Sequence, residues 1–234
     1  MKKVYLLVAG LLIVAVSIGI TSCNPKTSVS LKTAKDSASY ALGVYYGEGF
    51  VQTQTNLPEG HKMDADAFIA GAREAVDGKS SMDAMAAQMF LNNYFMQVQT
   101  AEADKNSKAG KDFLDENKTK PGVITTESGL QYKVITEGSG EKPGDNDKVK
   151  VHYTGKLLDG TEFDSTAQHG GEPFEFNTAG GVIQGWLEGV KIMPVGSKYI
   201  FWIPSDLAYG ERAQGPIPPN STLEFEIELL EIVK

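Results

Sequence analysis

The sequence predicts an α+β protein, with an all-helical first half and a second half built as an antiparallel sheet around one short helix. Three observations predict it. From Asp36 to about Thr100 apolar residues recur at three- and four-residue spacing between capping residues and helix breakers, and the helical pattern continues in charged residues to Lys118. After Gly122 the period changes to two, as it does in half-buried strands. Within that second half only Val182-Ile-Gln-Gly-Trp-Leu-Glu-Gly-Val190 returns to helical spacing.

In the first half, Tyr40, Ala41, Val44 and Tyr45 mark one helix, which Pro58-Glu-Gly60 breaks. A second starts at Asp64, whose carboxylate suits an N-cap, and stops at Gly78. Ser80 and Ser81 offer a cap to a third, much longer helix carrying Met82, Met85, Met89, Tyr94, Phe95 and Val98 on or beside one stripe. Methionine suits surfaces that adapt to a partner. The stripe therefore reads as a dimer interface, a client-binding cradle or a plain core, and the residues leave these open. Past Thr100 the pattern is charged nearly all round, as in a helix crossing solvent between two bodies. From Ser81 to Lys118 it spans about 55 Å at 1.5 Å per residue.

In the second half, Leu130, Tyr132 and Val134 alternate with polar neighbours, as do Val149, Val151 and Tyr153, and as does Leu223-Glu-Phe-Glu-Ile-Glu-Leu229. One sheet face is expected dry and the other wet. Gly, Pro and Asp clusters at 138–146, 158–160 and 210–220 separate the strands. By its own spacing, the short helix reads as a core helix with a buried Trp186.

The 234 residues carry 41% hydrophobic and 22% charged side chains and a formal charge of −8, with no basic stripe, which argues against a nucleic-acid partner. His61, His152 and His169 lack metal-ligand spacing, and one cysteine permits neither a disulfide framework nor a zinc cluster, so no metal and no cofactor are expected. That cysteine bears on localisation. Lys2-Lys3 precede an apolar run from Val4 to Ile20, and Ile20-Thr-Ser-Cys23 ends it in a way that resembles a bacterial lipobox. Residues 1–22 are then a lipoprotein signal peptide and Cys23 the lipidation site. The alternative is an uncleaved anchor, since the run is near the lower limit for spanning a bilayer. Residues 23–35 are polar and mixed, as a flexible tether is.

Six pieces of the second half carry more than periodicity: Val151-His-Tyr-Thr-Gly155, Gly160-Thr-Glu-Phe-Asp-Ser165, Pro173-Phe-Glu-Phe176, Val182-Ile-Gln-Gly-Trp186, Asp206-Leu-Ala-Tyr-Gly210 and Ile217-Pro-Pro-Asn-Ser-Thr-Leu-Glu-Phe225. In that order and spacing they resemble the FKBP family of peptidyl-prolyl cis-trans isomerases, over residues 121–234. The resemblance implies a half-wrapped antiparallel sheet whose concave face holds the short helix, with the site between them. It implies Tyr153, Asp164, Tyr209 and Phe225 as catalytic residues and Phe163, Phe174, Val182, Ile183, Trp186 and Ile217 as substrate-binding residues. Trp186 would floor the proline ring, the Ile183 amide and Tyr209 hydroxyl would hold carbonyls, and Asp164 would orient Tyr153. The implied partners are proline-containing clients. Macrolide inhibitors are also implied, but the short loop Glu211-Arg-Ala-Gln-Gly-Pro216 departs from the best-known members and leaves peptide preference and macrolide affinity open. His169, in the glycine-rich Ala167-Gln-His-Gly-Gly171, reads as a solvated loop residue.

Residues 36–120 fit a subgroup. Tyr40-Ala-Leu-Gly-Val44, the long helix, Phe113-Leu-Asp-Glu-Asn117, Pro121-Gly-Val and Ser128-Gly-Leu-Gln-Tyr-Lys133 are similar to Mip-type isomerases, which implies a helical dimerisation domain (through residues 36–100) and a stalk. The expected protein is a lipid-anchored, dimeric isomerase of the bacterial envelope, in the outer membrane and facing the periplasm. The rival reading is a holdase chaperone or peptide-binding module using the helical cradle, with little isomerase activity.

Overall fold

The computed structural model describes residues 29–55 and 57–233; the signal segment and Cys23 lie outside them. The chain forms two compact units, divided between Phe68 and Ile69.

The first unit contains α1 (Ala34–Thr55) and the start of α2 (Ala65–Val76). Lys32 and Thr33 donate their backbone N–H groups to the Asp36 carboxylate, satisfying donors that a helix start leaves free. After α1 the chain reverses, so that Phe50 stacks on Phe68 at 4.4 Å and Gln54 hydrogen-bonds the Met63 backbone. Asp64 caps α2 by accepting the Ala67 N–H at 2.7 Å, as its sequence predicts. Although α1 carries the expected apolar spacing, none of its residues is buried.

The second unit carries α3 (Ala84–Asn117), the predicted long helix. Its cap is Asp83, which accepts the Ala86 N–H at 2.8 Å, and not Ser80 or Ser81. The Ser80 hydroxyl is given instead to the Met82 carbonyl, one of the local bonds by which serine competes with capping.

The sheet follows: β1 (Val123–Thr125), β2 (Gln131–Thr136), β3 (Lys148–Leu157), β4 (Glu162–Ser165), β5 (Phe174–Asn177), β6 (Lys198–Ile203) and β7 (Leu223–Val233). Its order is β1-β2-β6-β7-β3-β4, with β5 also paired to β3, and every pairing is antiparallel. Alternation along the strands turns Val149, Val151 and Tyr153, then Tyr199, Phe201 and Ile203, then Leu223, Phe225, Ile227 and Leu229 to one face, where all are buried. The single short helix, α4 (Gln184–Ile192), lies on that face with Trp186 and Val190 buried. A nine-residue helix has little stability of its own, so its position comes from packing. Glycine permits the close approach: a Cβ on Gly189 would lie 2.8 Å from the Phe201 ring.

The other face departs from expectation. Between β6 and β7 and toward β3 it is wet, with Lys198 paired to Glu226 and Glu228 and Lys150 paired to Glu231 and Glu175. The C-terminal half of α3 is docked on part of this face, and therefore does not run free through solvent as its charge pattern suggests. Phe113 packs on Trp202 at 6.4 Å, and the Asn106 side chain donates to the Pro219 carbonyl at 3.0 Å. Gly110 abuts Thr222 so closely that a Cβ there would fall 2.3 Å from the hydroxyl. Asn117 donates to Gln131 Oε1 at 2.9 Å, and Gln131 Nε2 donates to the Leu114 carbonyl at 2.8 Å, so both buried amides are satisfied.

Candidate active site

Between α4 and the inner sheet face opens a cavity of about 200 Å³ lined by Tyr153, Phe163, Asp164, Phe174, Gly181, Val182, Ile183, Trp186, Tyr209 and Phe225. Trp186 is its centre. Tyr153 and Phe225 meet the indole nearly perpendicularly, at 5.0 and 5.1 Å between ring centroids, and Phe176 and Phe174 stand at 5.4 and 6.2 Å. Edge-to-face contacts of this kind satisfy the ring quadrupoles and hold the walls in place. Phe163 adds an outer wall, perpendicular to Phe225 at 5.5 Å.

The backbone explains how these rings meet. Gly155 on β3 is paired opposite Phe225 on β7, and a Cβ at Gly155 would lie 2.6 Å from the Phe225 ring and 2.7 Å from the Phe163 ring. Any side chain there would push the walls apart. Ile183 is the N-cap of α4: its carbonyl accepts the Trp186 and Leu187 N–H groups at 3.0 and 3.3 Å, while its extended backbone carries Val182 along the cavity. No acceptor among the described residues takes the Ile183 N–H. The Trp186 indole N–H is likewise buried without a hydrogen-bond partner among the described residues, enclosed by aromatic rings.

Two hydroxyls and one carboxylate supply the polarity. Tyr153 donates to Asp164 Oδ2 at 2.8 Å. Burial, followed by this hydrogen bond and the carboxylate's charge, holds the Tyr153 phenol above its ordinary range. Tyr209 is raised too, by burial first and by the Asp164 charge second, so both remain neutral donors at physiological pH. Tyr209 is placed by its neighbour Gly210, whose N–H reaches the Ser205 carbonyl at 3.0 Å and whose carbonyl accepts the Asn220 N–H at 2.8 Å.

Nine of the ten residues expected at the site thus line one cavity. Ile217 does not. Gln214 and Ile217 exchange backbone hydrogen bonds at 2.9 Å each, closing the shortened 211–216 loop into a tight turn. Ile217 is packed into the core at 4% exposure and does not line the cavity. Sequence reasoning missed Gly181 and Phe176, although Phe176 stands in a motif that pointed to Phe174. His169 is the solvated loop residue its sequence predicts, with its side chain 67% exposed, but its Nε2 also lies 2.8 Å from Asp164 Oδ1, a contact that sequence reasoning missed.

The chain aligns over 96% of its length with 93% of an FKBP-type peptidyl-prolyl cis-trans isomerase, FkpA, of Aeromonas hydrophila, at 38% identity. The chain is an FKBP-type peptidyl-prolyl cis-trans isomerase. The FKBP-type isomerase family pattern matches residues 139–230, and the domain amino terminal to FKBP-type isomerases matches residues 35–134. The Legionella longbeachae outer membrane protein MIP is 37% identical, with 99% of each chain aligned. Among solved structures, the crystal structure of Escherichia coli FkpA superposes with a TM-score of 0.66 at 36% identity, covering 87% of this chain and 98% of that one. The FKBP assignment accounts for the antiparallel sheet, the single helix on its concave face and the helical first half together.

Proposed function

We propose that the Trp186 cavity is the isomerase site and that it works without covalent chemistry. Rotation about an X-Pro bond faces a barrier of about 18–20 kcal/mol set by amide resonance. The planar amide is charge-separated and better hydrated than the twisted one, so a dry aromatic cavity favours the twisted form. A proline ring stacks over Trp186 between Phe225, Phe163 and Phe174. The free Ile183 N–H and the Tyr209 hydroxyl hold the flanking carbonyls, and bonds that shorten as the amide twists lower the barrier further. Asp164 orients Tyr153 at the rim. The observation that carries this reading is the convergence of five aromatic walls, Ile183 and Tyr209 on one cavity. Cis-trans exchange in a proline-containing peptide, followed by NMR, is expected to be accelerated by Asn24–Lys234; Phe225→Ala combined with Tyr209→Phe is expected to abolish the acceleration. An unchanged rate in the double variant would sink this reading.

The setting is also proposed: a lipoprotein cleaved before Cys23, anchored in the outer membrane and assisting envelope proteins as they fold. The lipobox-like Ile20-Thr-Ser-Cys23 and the similarity to an outer membrane protein support it. Fatty-acid label entering the wild type but not Cys23→Ala is the expected outcome, and label retained by Cys23→Ala contradicts it. Assembly as a homodimer through residues 36–100 is supported by exposed apolar side chains on α3, with Met85 75%, Met89 61% and Phe90 64% exposed. Met89→Glu with Phe90→Glu is expected to halve the mass seen by light scattering. The same exposed surface favours a second reading, a holdase cradle; anti-aggregation activity that persists after removal of residues 122–234 would support it.

A further inference from the structure

Immediately after β4, a short 3-10 turn (Thr166–His169) is capped at one end by Ser165 and closed at the other by Gly170 in the left-handed region, φ 87°. The turn folds back on the strand it follows, and this brings the His169 imidazole against Asp164. The carboxylate is then held from both sides: Oδ2 accepts the Tyr153 hydroxyl from within the cavity at 2.8 Å, and Oδ1 meets His169 Nε2 from outside at 2.8 Å. Asp164 lines the cavity, whereas the His169 side chain is 67% exposed.

We infer that His169 is a positioning residue of the isomerase site, fixing Asp164 and, through it, Tyr153. The inference rests on the reading of the cavity as the isomerase site and deepens it. A carboxylate tied at one oxygen still swings about its side-chain torsions; a second donor removes that freedom. Neutral imidazole with its proton on Nε2 makes the bond, and imidazolium makes the same bond with a charge added. The positioning bond is therefore available to either form of the ring.

Around the turn, Glu162 on β4 is held ionised by Gln168 and Ser165, and on β3 His152 Nδ1 lies 3.2 Å from Thr166 Oγ1 at the far end of the turn.

The test is NMR exchange on a proline-containing peptide at pH 8, with Asn24–Lys234 carrying His169→Ala or His169→Gln. At pH 8, His169→Ala is expected to lower kcat/KM about threefold, the scale of one hydrogen bond to a partly exposed carboxylate, and His169→Gln, which keeps an N–H donor, to restore most of it. An alanine variant equal to wild type at pH 8, or a glutamine variant as slow as alanine, overturns the positioning role. Failure of the cavity reading looks different: there the Phe225→Ala, Tyr209→Phe double variant stays active whatever residue 169 is.

Discussion

Two helices lie on opposite faces of the same sheet and are held there in different ways. On the inner face, α4 is short, apolar and glycine-notched, and it is held by burying Trp186 and Val190 among strand side chains. On the outer face, α3 is long and highly charged, and it is held by a few polar bonds, from Asn106, Asn117 and Gln131, around one aromatic contact, Phe113 on Trp202. Burying rings stabilises without direction, and it also leaves a dry cavity. Polar docking has direction: it fixes where the helix sits and stabilises less, because each bond replaces one to water.

Substitutions can break this contrast in order of expected effect. Trp186→Ala removes the centre of the inner packing and is expected to destabilise by about 3–5 kcal/mol, read from urea unfolding, and to abolish isomerase activity. Asn117→Ala strands Gln131 Oε1 in a buried site and is expected to destabilise by about 1–3 kcal/mol while leaving peptide isomerisation at the wild-type rate. A change of activity with Asn117→Ala would mean that the outer helix reaches the site.

Gly110→Ala sharpens the comparison. Alone it is expected to destabilise by about 1 kcal/mol, because the new Cβ meets the Thr222 hydroxyl. In a Thr222→Ala background the same change becomes neutral or stabilising by under about 1 kcal/mol, since alanine is the better helix former. Smallest of all is an alkaline effect confined to the inner face. With its phenol held above the ordinary range in the fold, Tyr153 contributes stability fully present below pH about 10, and this contribution is lost as the pH rises beyond. Tyr153→Phe should therefore flatten the fall in urea midpoint above pH 10, compared with wild type.

The same contrast explains what could be read in the chain. The strands and α4 were legible because apolar burial leaves a period of two or of 3.6 along the sequence. Spacing alone made Trp186 a core residue, and only the six motifs taken together, by their resemblance to the FKBP family, pointed to a cavity above it. The docking of α3 left no such trace: Asn106 bonds to a residue 113 positions away, and its polar partners break no hydrophobic pattern. The pairing of His169 with Asp164 was hidden in the same way, because it depends on a left-handed glycine closing a turn. Ile217 lies in the core and off the cavity lining, beside a 211–216 loop that closes on itself, and loop closure is not written in residue type.

The most direct test of the division of labour between the two faces is a titration of isotope-labelled Asn24–Lys234 with a proline-containing peptide, followed by NMR. The Ile183 amide and the Trp186 indole N–H are expected to shift and saturate together, while the amides of Gly110 and Asn117 stay in place. Shifts confined to α3, with Ile183 and Trp186 unmoved, would contradict the assignment of the inner face as the isomerase site.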